Sequence, residues 1–198
     1  AIGDRAQDIA LDALEAALAK EPRPDARHRI EHFGNAVVAK GAEERFQRME
    51  RSKIIPVPEA SFLWASTGSR RPRPGVSSYA IKTLIERGFH PPGNSDTLGT
   101  MTRAINPWFP ISRAVFRTSR DGTEVDPQEA ITVMEGIRMH TLWAAESGFE
   151  EDIKGSLEAG KLADLVVVSE DPLKVAPERI LDLRCEMTVI DGKIAYRR

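Results

Sequence analysis

The chain has 198 residues, 41% apolar and 29% charged, and its 28 basic and 30 acidic side chains leave a net charge of −2. That length allows a sizeable core and one large domain or somewhat more, and the charge balance argues against nucleic acid or an anionic membrane as partner. No apolar run approaches the roughly 20 residues that cross a bilayer, and the start lacks a secretory pattern; the single cysteine, Cys185, excludes an internal disulfide, so a soluble cytoplasmic protein is expected.

Asp4 to Lys20 carries Ile9, Ala10, Ala13, Leu14, Ala17 and Leu18 at three- and four-residue spacings, which predicts an amphipathic helix beginning near Gly3-Asp4. Arg27-His-Arg-Ile-Glu-His32 alternates and reads as a short strand. Gly41 to Ser52, with Phe46 and Met49 on one side, is a second helix, and Lys53-Ile-Ile-Pro-Val-Pro58 is a strand interrupted by proline. Ser66 to Ser78 has no apolar period and is rich in Arg, Pro, Gly and Ser, the composition of a surface loop. Its arginines lack the interleaved aromatics of a single-strand nucleic-acid platform.

Tyr79 to Arg87 is a helix stopped by Gly88, and Phe89 to Asp96 reads as an approach to a strand end followed by a loop. The irregular stretch from Met101 to Thr118, with Pro107, Trp108 and Pro110, predicts a packed loop. Asp126-Pro-Gln-Glu129 has the aspartate, early proline and acids of a helix start, and Ile131, Met134, Ile137, Leu142 and Ala145 carry that helix to about Glu146. Strands are expected at Leu165–Val168, at 186–190 and at 194–196, the last two joined by an Asp191-Gly192 hairpin turn.

Gly155-Ser-Leu-Glu-Ala-Gly-Lys161 has the spacing of a phosphate-binding loop. Such a loop needs Ser or Thr after the lysine and a following helix whose amides face phosphate. Here Leu162 follows, Glu158 would oppose the phosphates, and the next element is a strand. The local reading is a glycine turn with a solvated Lys161 and with Asp164 at a strand edge.

His32 and Asp96 each sit at a predicted strand end, which in a β/α barrel is where catalytic and metal-binding side chains gather. Taken alone, such a histidine is more often a hydrogen-bonded core residue and such an aspartate more often a turn or cap. His28 shares the face of His32 but lies about 13 Å away along an extended strand, too far for one ligand shell. Glu31 points to the opposite face, toward a charge pair with Arg27 or Arg29. Arg70, Arg71 and Arg73, or Arg113 and Arg117, could meet an acidic substrate group, although loop arginines are usually solvated.

Several phrases together resemble the amidohydrolase superfamily of metal-dependent hydrolases. The stretch from Gly155 to Val168, then Asp171-Pro172 and Thr188-Val-Ile-Asp-Gly-Lys-Ile-Ala-Tyr196, resembles that family's C-terminal signature. Arg27-His-Arg-Ile-Glu-His32 resembles the end of barrel strand six in the YtcJ-like branch, where the last histidine binds metal. Gly93-Asn-Ser-Asp96 resembles that branch's Gly-Ser-Asp at the end of strand eight, where the acid touches metal and acts as general base. The departures are the inserted Asn94 and Thr97-Leu98 in place of an aromatic residue and proline.

The resemblance implies an α/β fold: the C-terminal part of a TIM-type (β/α)8 barrel, about strands six to eight, over residues 1–152, then strands of a small β-sandwich over 153–198. It implies a hydrolase of non-peptide carbon–nitrogen bonds using metal-activated water, with His32 and Asp96 as metal ligands, Asp96 as base, and a divalent metal, zinc by family habit, as cofactor. Ala1-Ile-Gly-Asp-Arg-Ala6 resembles the phrase just after the family's strand-five histidine, so the His-x-His pair of strand one and the ligands of strands four and five have no counterpart here. Two ligands fall short of the usual three of a catalytic zinc, and three strands cannot close a barrel. The expected partners are therefore a small-molecule substrate and a missing N-terminal segment or another protomer, with a homo-oligomer allowed. On this reading the isolated chain is inactive. The alternative is a non-catalytic fragment or assembly module that keeps the fold without a complete metal site.

Overall fold

The structure, a computed structural model, describes residues 1–67, 73–97 and 102–198. Helix α1 (Asp4–Lys20) turns Gln7 and Leu11 inward and lies against α2 (Ala42–Ser52), which buries Arg45, Phe46 and Met49. The charged faces of the two helices are matched: Arg45 pairs with Asp8 at 2.7 Å, and Arg48 with Asp12 and Glu15 at 2.6 and 2.7 Å. Such partly exposed pairs contribute up to about 1 kcal/mol each. The larger stabilisation comes from the apolar cluster beneath them, in which Leu11, Phe33, Met49 and Leu84 are fully buried.

Strands β1 (Arg29–Glu31) and β3 (Ile55–Val57) pair in parallel with Ile30 opposite Pro56. The ladder runs on past β1, the His32 amide donating to the Val57 carbonyl at 2.8 Å. Because the strands are parallel, His32 and the residues after Val57 emerge at the same end. Between them the chain forms β2 (Val37–Val38), which pairs antiparallel with β4 (Val76–Ser77). Part of the segment expected to be only a surface loop is therefore held in a short ribbon.

Helix α3 (Ile81–Glu86) follows as expected, but the strand approach does not. Residues 89–97 form no strand, since the Phe89 amide donates to Leu84, the Gly93 amide to Met139, and Pro91 and Pro92 have no N–H to offer a ladder. Among the described residues a single parallel pair stands where three barrel strands were expected.

The packed loop expected over 101–118 is largely helical. A 3-10 turn (Thr102–Ile105) leads into α4 (Trp108–Phe116), with Pro107 as N-cap and Pro110 in the first turn, places where a missing N–H costs nothing. Conversely, the single helix expected from Asp126 to Glu146 is broken into a 3-10 turn (Pro127–Glu129), α5 (Val133–Met139) and α6 (Leu142–Ser147). Asp126 is left-handed and its side chain takes the Ser78 amide at 2.6 Å, so it does not cap. Thr132 does, in a reciprocal capping box with Glu135. A second apolar cluster of Ile81, Ala114, Ile131, Met139 and Trp143 joins these helices.

The tail is an antiparallel sheet in the order β5 (Leu165–Val168), β6 (Cys185–Ile190), β7 (Lys193–Arg197), with Asp191 and Gly192 both at positive φ in the hairpin turn. Cys185 is free and half-buried. Lys161 is not solvated: its ammonium donates to the Ser156 hydroxyl at 2.7 Å and closes the glycine turn on itself. Among the described residues no helix is long and apolar enough to cross a membrane.

Candidate metal centre

His32 ends the β1 ladder with φ 64°, and Asp96 ends the Gly93–Asp96 loop with φ 38°. Both are left-handed conformations that non-glycine residues adopt at a cost and that gather at functional sites. The turn after Glu31 places the His32 ring against Phe62, stacked at 6.2 Å, with Nε2 3.7 Å from Oδ2 of Asp96. Glu31 does pair with Arg29, at 3.3 Å, whereas Arg27 pairs with Asp25 and Glu151.

The third member is Glu59, two residues beyond β3 and 2% exposed. His32, Glu59 and Asp96 each offer one donor atom, all within 4.8 Å of one another. Oε2 of Glu59 is buried without a hydrogen-bond partner. Burial first, then the charges of Asp96 and Glu31, push its carboxyl up to about 8, against a hydrogen bond with Asn94 that pulls it down. A buried carboxyl oxygen with no partner, facing an imidazole and a second carboxylate, is chemically suited to a divalent cation. One nitrogen and two oxygens are a donor set that zinc accepts.

Asn35 couples the two strand ends. The Glu59 amide donates to Oδ1 of Asn35 at 2.7 Å, so the other amide atom, 3.2 Å from Nδ1 of His32, is the NH₂ group. With that donor opposite Nδ1, the neutral ring carries its proton on Nε2, toward Asp96. For Nε2 to present a lone pair, the proton must move to Nδ1 and Asn35 must turn its oxygen there.

Sequence reasoning named His32 and Asp96 and missed Glu59. The available signal was an acid immediately after the Lys53–Pro58 strand, at the strand end that singled out His32. His28 lies at the other end of the strand pair, its carbonyl bonded to the Ile55 amide. Arg70 and Arg71 lie outside the described residues, and Arg73 is exposed. Arg117 is fully buried, donating to the carbonyls of Val125, Tyr79 and Ser78, which is a structural role; burial pushes its guanidinium down to about 10. A cavity of about 490 Å³ lies elsewhere, where β3 begins, between Arg27, Ile55, Phe89 and His90; its arginines are already paired, Arg27 with Glu151 and Arg87 with Glu50.

The sequence profile of the Amidohydrolase family matches residues 1–196. The chain is 30% identical over 203 residues to an N-substituted formamide deformylase of Arthrobacter pascens, covering all of this chain and 36% of that protein. It is 27% identical over 201 residues to the amidohydrolase-like protein YtcJ of Bacillus subtilis (strain 168), covering 37% of it. The chain thus spans about a third of the length of these curated relatives. A crystal structure of an uncharacterized metal-dependent hydrolase from Pyrococcus furiosus superposes with a TM-score of 0.65 at 28% identity, over 88% of this chain and 33% of that one. The profile match extends through the strand ends that carry His32 and Glu59 as well as through the β tail, and the chain belongs to the amidohydrolase family.

Proposed function

We propose that this chain forms the C-terminal part of a metal-dependent hydrolase of non-peptide carbon–nitrogen bonds, with residues 1–152 belonging to its barrel and 153–198 to a small β-sandwich. The observation that carries this reading is the buried Glu59 carboxyl, its Oε2 without a hydrogen-bond partner, grouped with His32 and Asp96. His32, Glu59 and Asp96 would hold a divalent cation, zinc by donor type. Such a cation supplies Lewis acidity toward a carbonyl and lowers the pKa of water to about 7.

The side chains divide the remaining work. Glu59, protonated at neutral pH when alone, gives up its proton to bind and brings negative charge into a buried position. His32 contributes a neutral nitrogen, oriented by Asn35 on one edge and by Phe62 on its face. Asp96 is 38% exposed at its side chain, at the mouth of the site, where it can take a proton from water and return it to the departing amine. The other barrel strands and ligands would come from an upstream segment or another protomer, and a single free cysteine suits a cytoplasmic setting.

The test is zinc content and hydrolysis of a panel of N-substituted formamides, chosen from the named activity of the Arthrobacter relative, by the chain expressed with its upstream reading frame. Formate release that falls by about 10²-fold or more in Asp96→Asn supports the reading. Turnover that survives this change, or persists after zinc is stripped, overturns it.

A further inference from the structure

Two guanidinium groups lie near the Trp64 ring, Arg113 at 5.2 Å and Arg103 at 5.4 Å from its centroid. Phe109 meets the same indole edge-on at 5.9 Å and lies 5.7 Å from Arg113. Arg113 is only 6% exposed. Its Nε donates to the Ser112 hydroxyl at 3.2 Å, and its Nη1 to the Thr118 carbonyl and hydroxyl at 2.9 and 3.3 Å. Nη2 makes no hydrogen bond among the described residues, and neither Arg113 nor Arg103 has a carboxylate partner among them. Burial, reinforced by the charge of Arg103, holds the Arg113 guanidinium below its usual range.

The other sheltered arginines are treated differently: Arg117, also without a carboxylate, has Nε, Nη1 and Nη2 each donating to a carbonyl. Arg27, Arg45 and Arg48 each meet a carboxylate at 2.6 to 2.7 Å. A desolvated cation beside a second cation, with the counter-charge missing, loses solvation that aromatic faces recover only in part. A ligand carboxylate recovers it well, because the planar guanidinium fork matches two oxygens.

The position also fits. Trp64 belongs to the 3-10 helix Ala60–Ala65, which starts immediately after Glu59 and carries Phe62 onto the His32 ring. At about 2 Å of rise per residue, Trp64 is roughly 10 Å along the chain axis from Glu59.

We propose that Arg103 and Arg113, gathered on Trp64, bind the carboxylate of an acidic amide substrate whose scissile group reaches the His32–Glu59–Asp96 centre. The substrate class rests on the hydrolase reading; the carboxylate site itself does not, and is measurable in metal-free protein. The probe is N-formyl-ε-aminocaproate, an extended amide acid of suitable length, compared with its neutral primary amide by calorimetry and tryptophan fluorescence.

The carboxylate is expected to bind at least about tenfold more tightly than the amide, and Arg103→Gln to remove about tenfold of that affinity. Trp64→Phe should remove the fluorescence response. Arg103 is exposed, so its replacement leaves the core intact even where Arg113→Gln fails to fold. Equal binding of acid and amide, or an unchanged affinity in Arg103→Gln, overturns the proposal. Carboxylate binding without any formate release by the zinc-loaded chain expressed with its upstream reading frame leaves this site standing and removes the hydrolase reading instead. Equal hydrolysis of acid and amide does the reverse.

Discussion

Replacing Glu59 with glutamine isolates the energetic cost of keeping a carboxyl buried between His32 and Asp96. The folded protein holds this group at about 8, whereas its ordinary value is 4.5. Below pH 4.5 the group is protonated in both states and favours folding fully. As pH rises through the window from 4.5 to 8 the unfolded chain releases the proton first, so stability falls. Each pH step of one across that window costs about 1.4 kcal/mol while the two states differ by one bound proton, so the loss between pH 5 and pH 8 is about 3 kcal/mol.

Urea unfolding of the metal-stripped protein at the two pH values measures this directly. Glu59→Gln keeps the shape of the side chain and cannot ionise, so its stability should change less over the same interval, by about that 3 kcal/mol. Zinc added at pH 7 should reverse the penalty in the wild type and release close to one proton per ion from this site, readable by calorimetry in buffers of different ionisation enthalpy. Parallel pH dependences in wild type and Glu59→Gln would refute the reasoning.

Asn35→Asp offers an acceptor to both the Glu59 amide and a proton on Nδ1 of His32. It should tighten zinc binding about tenfold, while Asn35→Leu weakens it to a similar extent; zinc titration of the two variants checks the tautomer argument. Gly93→Ala would place a methyl group 2.5 Å from the His140 ring, so it should cost about 1–3 kcal/mol in urea unfolding and loosen zinc through the displaced Asp96 loop. Leu84→Ala, at a fully buried position, should cost about 2–5 kcal/mol while leaving the zinc affinity of the folded protein unchanged.

The elements legible in the sequence are those fixed by nearby residues. Helices α1 and α2 follow from apolar spacing, and the β6–β7 hairpin from Asp191-Gly192, whose backbone takes the positive φ values that such a turn requires. The errors arise where distant groups decide. Prolines at 107 and 110 resemble loop punctuation until α4 is seen to start there. The apolar period running from Ile131 to Ala145 hides a break, because Thr132 supplies a cap that Asp126, bonded to the Ser78 amide, does not. Phe89–Asp96 has the look of a strand approach, but its amides are bonded to Leu84 and Met139. At the site, His32 and Asp96 stood out through short phrases, whereas Glu59 is a single acid after a proline. Its importance depends on the parallel pairing of β1 with β3 and on the Asn35 bridge, neither of which any local pattern encodes.

The most direct test of the account is a zinc titration of the wild type beside His32→Ala, Glu59→Gln and Asp96→Asn. If the three side chains share one cation, the wild type binds a single zinc ion at this centre, and each variant weakens binding by at least about tenfold while the fold is retained. Zinc affinity unchanged in Glu59→Gln and Asp96→Asn, or no zinc binding by the wild type, would contradict it.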